Sequence, residues 1–233
     1  MKTLIISISI ISILICAAVT VKLWKSVSSP SLVIEQYLRS DFSDRYRYVI
    51  NGDDIKSVME KWYNGQPHKV GPISVSKNPV ITVDEHDVYD VEFNGISCLF
   101  YVKLINGKWM INWPATVRYC EMPLTQLKAE RCERPSRMRL IADLSDYYNY
   151  EFRGKRDEFI SLSLHDQKTS VHGYIRRNEI ETGLYEKLKG GKEILVLVDL
   201  SFMPKNIDGN DNSDCALISF MKSGWTNTDL TAK

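Results

Sequence analysis

The sequence predicts an α+β protein carried on one N-terminal transmembrane helix. Three observations lead there: an uncharged apolar run at the very start, a helix-rich stretch that passes into strands separated by Asn-Gly pairs, and a second strand-rich stretch interrupted by a single helix. The 233 residues are 44% hydrophobic and 25% charged, a globular balance with room for one or two domains after the first segment.

From Thr3 to Val21 the chain runs 19 residues without a charge, broken mainly by Ser7, Ser9 and Ser12. As a helix rising about 1.5 Å per residue this covers roughly 28 Å, close to the hydrocarbon thickness of a bilayer. Lys2 precedes it, Lys22 and Lys25 follow it, and Trp24 sits where an interfacial aromatic belongs. The run therefore reads as an uncleaved anchor over residues 1–25. Two other readings compete: a signal cleaved near Cys16-Ala17-Ala18, and a lipoprotein on Cys16, which the bulk of Ile15 opposes. The flanking lysines nearly balance, so they do not orient the helix. A long folded part after a first hydrophobic segment favours export, so the expected location is a single-pass membrane protein with an extracytoplasmic, periplasmic soluble part. The net charge of +1 becomes −2 once those three lysines are set aside, which provides no electrostatic footprint for a nucleic acid.

After a short linker, Ser29 is placed to cap a helix with Pro30 at its first position, and Leu32, Ile34, Tyr37 and Leu38 form its stripe. A short second helix is expected after Ser43, carrying Tyr46 to Ile50. Asn51-Gly52 reads as a turn, and Asp53 or Asp54 as the cap of a third helix. That helix has its apolar positions at Ile55, Val58, Met59, Trp62 and Tyr63, and Asn64-Gly65 ends it. Strands are expected over Val80–Val83, Val88–Phe93, Ile96–Leu104 and Trp109–Arg118. Asn94-Gly95 and Asn106-Gly107 supply type I′ hairpin turns between them. This makes a first domain over 26–121.

The polar stretch 122–135 reads as a linker. In the second domain, 136–227, strands are expected over Leu140–Phe152, Glu158–Leu164, Ser170–Arg176, Glu193–Phe202 and Cys215–Met221, with a tail at 228–233. Between the third and fourth strands, Asn178 with Glu181 forms a capping-box pattern before a helix striped by Ile180, Leu184 and Leu188 and stopped by Gly190-Gly191. The order β-β-β-α-β-β suits a small barrel of the OB type.

The chemistry-bearing residues point to no reaction, and no catalytic residue, metal site or cofactor is assigned. His68, His86, His165 and His172 are scattered, and the Asp84-Glu85-His86-Asp87 cluster reads as a solvated hairpin turn whose side chains diverge. The acidic stretch 206–214 resembles a calcium loop, but with Gly209 at the sixth position Pro204 and Cys215 fall at the two carboxylate positions. It reads as a strand connection. Cys98, Cys120, Cys132 and Cys215 lack metal spacing. They are expected as buried free thiols, with three pairings open in an oxidising compartment. Tyr147, Tyr148, Tyr150 and Phe152 would line the first barrel strand. With 14 basic against 15 acidic residues from Pro135 onward, packing is the reading preferred to base stacking.

The helices with Tyr37, Tyr46, Trp62 and Tyr63, followed by a curved meander ending in Trp109 and Trp113, resemble the NTF2-like superfamily. The stretches Arg45-Tyr46-Arg47-Tyr48-Val49-Ile50-Asn51, Met59-Glu60-Lys61-Trp62-Tyr63 and Asp146-Tyr147-Tyr148-Asn149-Tyr150-Glu151-Phe152 resemble uncharacterised bacterial envelope proteins with such a domain followed by an OB-like barrel. The resemblance implies helices packed on a curved antiparallel sheet, and a cone whose mouth is lined near Trp62, Tyr63, Trp109 and Trp113. The anchor and two small modules without site chemistry favour a non-enzymatic binding or scaffolding role with protein partners in the envelope. The alternative is a cone-pocket enzyme or small-ligand receptor, since the fold does not choose.

Overall fold

The computed structural model describes residues 29–66, 68, 70–166, 168–202, 215–228 and 230. The expected anchor at 3–21 and the acidic stretch 206–214 lie outside them. Among the described residues, no helix is long and apolar enough to cross a membrane. The chain divides into two compact units between Asn112 and Trp113.

In the first unit, helix α1 (Pro30–Arg39) starts as the sequence implies. Ser29 is its N-cap, its hydroxyl accepting from Leu32 N–H at 3.2 Å, and Val33, Ile34, Tyr37 and Leu38 face inward. Leu32 is instead exposed. The expected second helix is one 3₁₀ turn, Arg45–Tyr48. Helix α2 (Gly52–Tyr63) begins earlier than Asp53 or Asp54 would cap it: Asn51 takes the left-handed conformation (φ 53°) at its N-cap. The two aspartates occupy the first turn, where the helix dipole favours them. Gly52 is required by space, since a Cβ there would lie 1.8 Å from the Tyr46 carbonyl oxygen.

Five strands follow: β1 (Ile73–Val75), β2 (Ile81–Val83), β3 (His86–Phe93), β4 (Ile96–Ile105) and β5 (Lys108–Ile111). The antiparallel sheet runs β1-β3-β4-β5, and β2 also pairs with β3. Both Asn-Gly pairs are two-residue hairpin turns with positive φ at both positions (53° and 74°, 50° and 77°). Asp84-Glu85 makes a third such turn, between Val83 and His86, without a glycine. One layer of the core is Ile34 and Tyr37 with Phe100, Val102 and Ile111, and the Tyr37 ring meets Phe100 edge-on at 5.8 Å. The strand expected over Trp109–Arg118 stops at Ile111. Pro114 cannot extend a ladder, and Trp113–Thr116 forms a short helix, α3.

In the second unit the stretch expected as a linker carries helix α4 (Leu124–Glu130), which buries Leu124 and Leu127. Strands β6 (Ser136–Ser145), β7 (Phe159–His165), β8 (Ser170–Arg176), β9 (Ile194–Phe202) and β10 (Cys215–Ser223) close a barrel in the order β6-β7-β8-β10-β9. Closure is made by parallel pairing of β8 with β10 and antiparallel pairing of β6 with β9. Helix α5 (Thr182–Lys189) starts later than the Asn178 capping box implies, at Glu181. Met138, Leu140, Leu162, Leu164, Val196, Val198, Leu200 and Ile218 fill the barrel, together with leucines from α4 and α5.

Two arginines dress the outside of β6. Arg137 pairs with Asp199, its β9 register partner, through Nε–Oδ1 and Nη2–Oδ2 contacts of 2.7 Å each. Both side chains are at most 3% exposed. Arg139 donates to the Tyr119 carbonyl at the start of the unit, and to the Trp225 and Asn227 carbonyls near its end. Residues 119–121 lie along the part of β6 that β7 does not reach: Glu121 N–H donates to Arg137 O, and Cys120 Sγ accepts from Arg139 N–H.

Asp199→Ala strands a buried guanidinium, and urea denaturation is expected to show a loss of about 3–5 kcal/mol. Arg137→Met with Asp199→Leu should recover most of it. Gly52→Ala is expected to cost about 1–3 kcal/mol of first-unit stability, because the Tyr46 turn must shift to admit the methyl.

Candidate functional site

Phe42 follows α1, and Tyr37 and Tyr63 come from α1 and α2. Their rings surround the Arg45 guanidinium, which lies 4.5 Å from the Phe42 centroid and 5.0 Å from each of the other two. Phe42 stacks on Tyr63 at 4.6 Å and nearly parallel, and the Tyr37 and Tyr63 hydroxyls hydrogen-bond each other. Arg45 donates to the Leu38 carbonyl at 2.9 Å and to the Ser40 carbonyl at 3.3 Å. Arg45 is 7% exposed, and burial, with the neighbouring Tyr63, pushes the Tyr37 phenol well above its ordinary value. A cation held among desolvated rings is worth about 2 kcal/mol. This box turns Tyr37 and Tyr63 of the helices inward, onto the chain's own cation.

The four residues expected near a pocket separate accordingly. Tyr63 belongs to the box. Trp62, its neighbour on α2, is 37% exposed, and its carbonyl accepts from Gln66. Trp109 is half-buried on β5 opposite Leu104. Trp113 belongs to the second unit, fully buried, with its ring 5.4 Å from Tyr119.

An open cleft of about 510 Å³ lies elsewhere in the first unit, between the 3₁₀ turn, the start of α2 and β5. Tyr46, Val49 and Met110 line its apolar part, and Arg47, Asn51, Asp53 and Asp54 its polar part. Lys56 sits over the Tyr46 ring at 4.5 Å, and Arg47 pairs with Asp44 at 3.1 Å. Both signs of charge are present on exposed side chains, which suits a polar surface ligand or a peptide more than a desolvated reaction. The Asn-Gly signal marked this place only as a turn.

His86 is 5% exposed, in contrast to the solvated turn expected of its cluster. Its Nδ1 lies 2.8 Å from the Asp84 carbonyl and its Nε2 3.1 Å from the Asn112 amide nitrogen. These contacts fit a neutral ring that donates from Nδ1 and accepts at Nε2. Burial lowers its pKa, the Asp84 carbonyl opposing. The other cluster members point outward: Asp87 accepts from Thr82 Oγ1, and Glu85 pairs with Lys103. His68 stands near Asp41 and meets Phe42 edge-on.

On the barrel, the aromatic run expected within the first strand lies beyond it, since β6 ends at Ser145. The chain turns back over the outer faces of β7 and β8. Phe152 stacks on Tyr174 at 3.7 Å, and Tyr147 on His172 at 4.1 Å. The Tyr148 hydroxyl donates to Phe159 O and accepts from Ser161 N–H, both at 3.1 Å. Tyr174 donates to the Tyr147 carbonyl, and burial, with the adjacent Cys215, raises its pKa. The strand face on which bases would stack is thus covered by the protein's own rings.

Among the described residues, no group of three or more His, Cys, Asp or Glu is arranged to hold a metal ion. No disulfide joins Cys98, Cys120, Cys132 and Cys215, and of these four expected as buried thiols Cys215 is buried while the other three are half-buried. Comparison with protein-family models, with curated proteins and with solved structures finds no match.

The His86 environment has a pH signature. The unfolded ring takes up a proton near pH 6.5, whereas the folded ring resists it, so its contribution is full above that value and is lost as pH falls towards the lower folded pKa. The unfolding free energy read from urea titrations is expected to drop between pH 7.5 and 5.5, by up to about 1.4 kcal/mol per pH unit. His86→Gln should flatten that dependence.

Proposed function

We propose that this chain is a membrane-anchored envelope protein whose soluble part is a non-enzymatic binding or scaffolding module. Its first unit is NTF2-like and its second an OB-like barrel. The barrel order, with the first strand between the second and fourth and the third parallel to the fifth, supports the second assignment. The helices laid on a curled antiparallel sheet support the first. The uncharged run 3–21 supports the anchor, and export makes other envelope proteins the partners.

One observation carries the non-enzymatic reading over a cone-pocket enzyme: Arg45 fills the space among Tyr37, Phe42 and Tyr63 that an open aromatic pocket would need. A ligand entering there must displace a buried guanidinium from two carbonyls and three rings. The surface left for recognition is the open cleft around Tyr46 and Met110, together with exposed apolar side chains such as Ile81, Ile96 and Leu104.

Protease treatment of spheroplasts expressing the full chain with a C-terminal tag tests the address. The expected result is loss of the tag from the outside, with mass spectrometry recovering an N-terminal peptide that still contains Met1 to Val21. A protected tag, or a mature N-terminus beyond Ala18, overturns the anchored, exported reading.

A further inference from the structure

Among the described residues, part of β4 in the first unit has a strand on one side only. β5 pairs only with Val102–Ile105 of β4, and the last bond on that side is Asn112 N–H to Tyr101 O at 2.8 Å. Hydrogen-bonding groups in an antiparallel strand alternate in direction with a period of two. Ser97 and Leu99 therefore turn their N–H and C=O groups to the same side as Tyr101, while Ile96, Cys98 and Phe100 bond back to β3. Among the described residues, no strand lies beyond Ser97 and Leu99. The flanking side chains are open, with Ile96 59% and Leu99 38% exposed.

Edges are normally protected by lysine, proline or a bulge. From Gly95 to Val102 the sequence Gly-Ile-Ser-Cys-Leu-Phe-Tyr-Val has no charge and no proline, and pairing with β3 continues through it without a register shift.

We propose that this edge pairs with the same edge of a second copy of the chain, antiparallel about a two-fold axis at Cys98. In that register Ser97 stands opposite Leu99 of the second copy, so every outward N–H and C=O of both residues finds a partner. Ile96 meets Phe100, and no like charges oppose each other. At the end of the ladder, next to Asn112, the second copy brings Gly95, which has no side chain and has open space around its Cβ position. A charged peptide would find no complement on this strand.

Cys98 then faces its own counterpart at a non-hydrogen-bonded position, where Cα atoms sit about 4.5 Å apart. That separation lies within the disulfide range of about 4.4–6.8 Å. The ladder is short of the ~1,200 Å² of a stable interface, so pairing depends on local concentration, which a shared membrane raises. In that respect the inference rests on the anchored reading above.

Copper–phenanthroline oxidation of the full chain in its native membranes tests it, read on non-reducing gels. Two Cys98 thiols would give two electrons and two protons to the added oxidant. Burial, with Asp90 nearby, pushes this thiol up to about 11, so the yield should rise from pH 7 to 9. A dimer band is expected for the wild type and for Cys16→Ser, and none for Cys98→Ser. Leu99→Pro removes an N–H that the β3–β4 ladder does not use, so the fold should persist while the cross-linked fraction falls about tenfold. Leu99→Lys is the second variant if the proline chain does not fold. A dimer that persists in Cys98→Ser, or a wild type with no dimer, overturns the proposal. Purified full chain at high concentration in detergent separates the two readings: a Cys98 dimer there, combined with release of the chain from native membranes by alkaline carbonate, keeps the edge pairing and removes the anchor.

Discussion

Arg137 and Arg139 stand on the same face of β6, outside the barrel, and both are 2% exposed. Taking two guanidinium groups out of water is tolerable only because each is fully engaged, one by a carboxylate fork and the other by three carbonyls. Their alternation with Met138, Leu140 and Ala142 locks the register of β6. A slip of one residue would drive both charges into the apolar interior and expel the core residues. Once β6 is fixed, its partners β7 and β9 are placed, and the parallel contact between β8 and β10 closes the ring.

Much of this architecture was legible in the sequence where short-range chemistry decides. Ser29-Pro30 marks a helix start, Asn94-Gly95 and Asn106-Gly107 mark hairpins, and Leu184 with Leu188 marks the buried side of the barrel helix. All reflect local φ preferences or simple periodicity. What escaped depends on distant partners. Arginine is rarely buried, so nothing in Ser136–Leu140 announced two buried guanidinium groups on the outer face of β6, one of them paired with a carboxylate on β9. The β-rich look of Leu140–Phe152 concealed the end of the strand at Ser145, because aromatic residues serve a strand and a covering loop equally well. The run Trp109–Arg118 failed at Pro114 for a reason visible in the residue itself. The short β1, only Ile73–Val75, is fixed by β3 and not by its own pattern.

The candidate site was the least legible part. Aromatic composition alone cannot distinguish rings that line a pocket from rings that close over a cation, because the distinction rests on where Arg45 sits. In both units the rings answer the chain itself: three around a guanidinium in the first, and a layer over the outer strands in the second.

Arg139 has a mechanical meaning as well. It grips the carbonyl of Tyr119, where the second unit begins, and those of Trp225 and Asn227, where it ends. Tension between the two ends of this unit would fall on that side chain together with the Trp225 indole, which donates to the Leu140 and Val196 carbonyls.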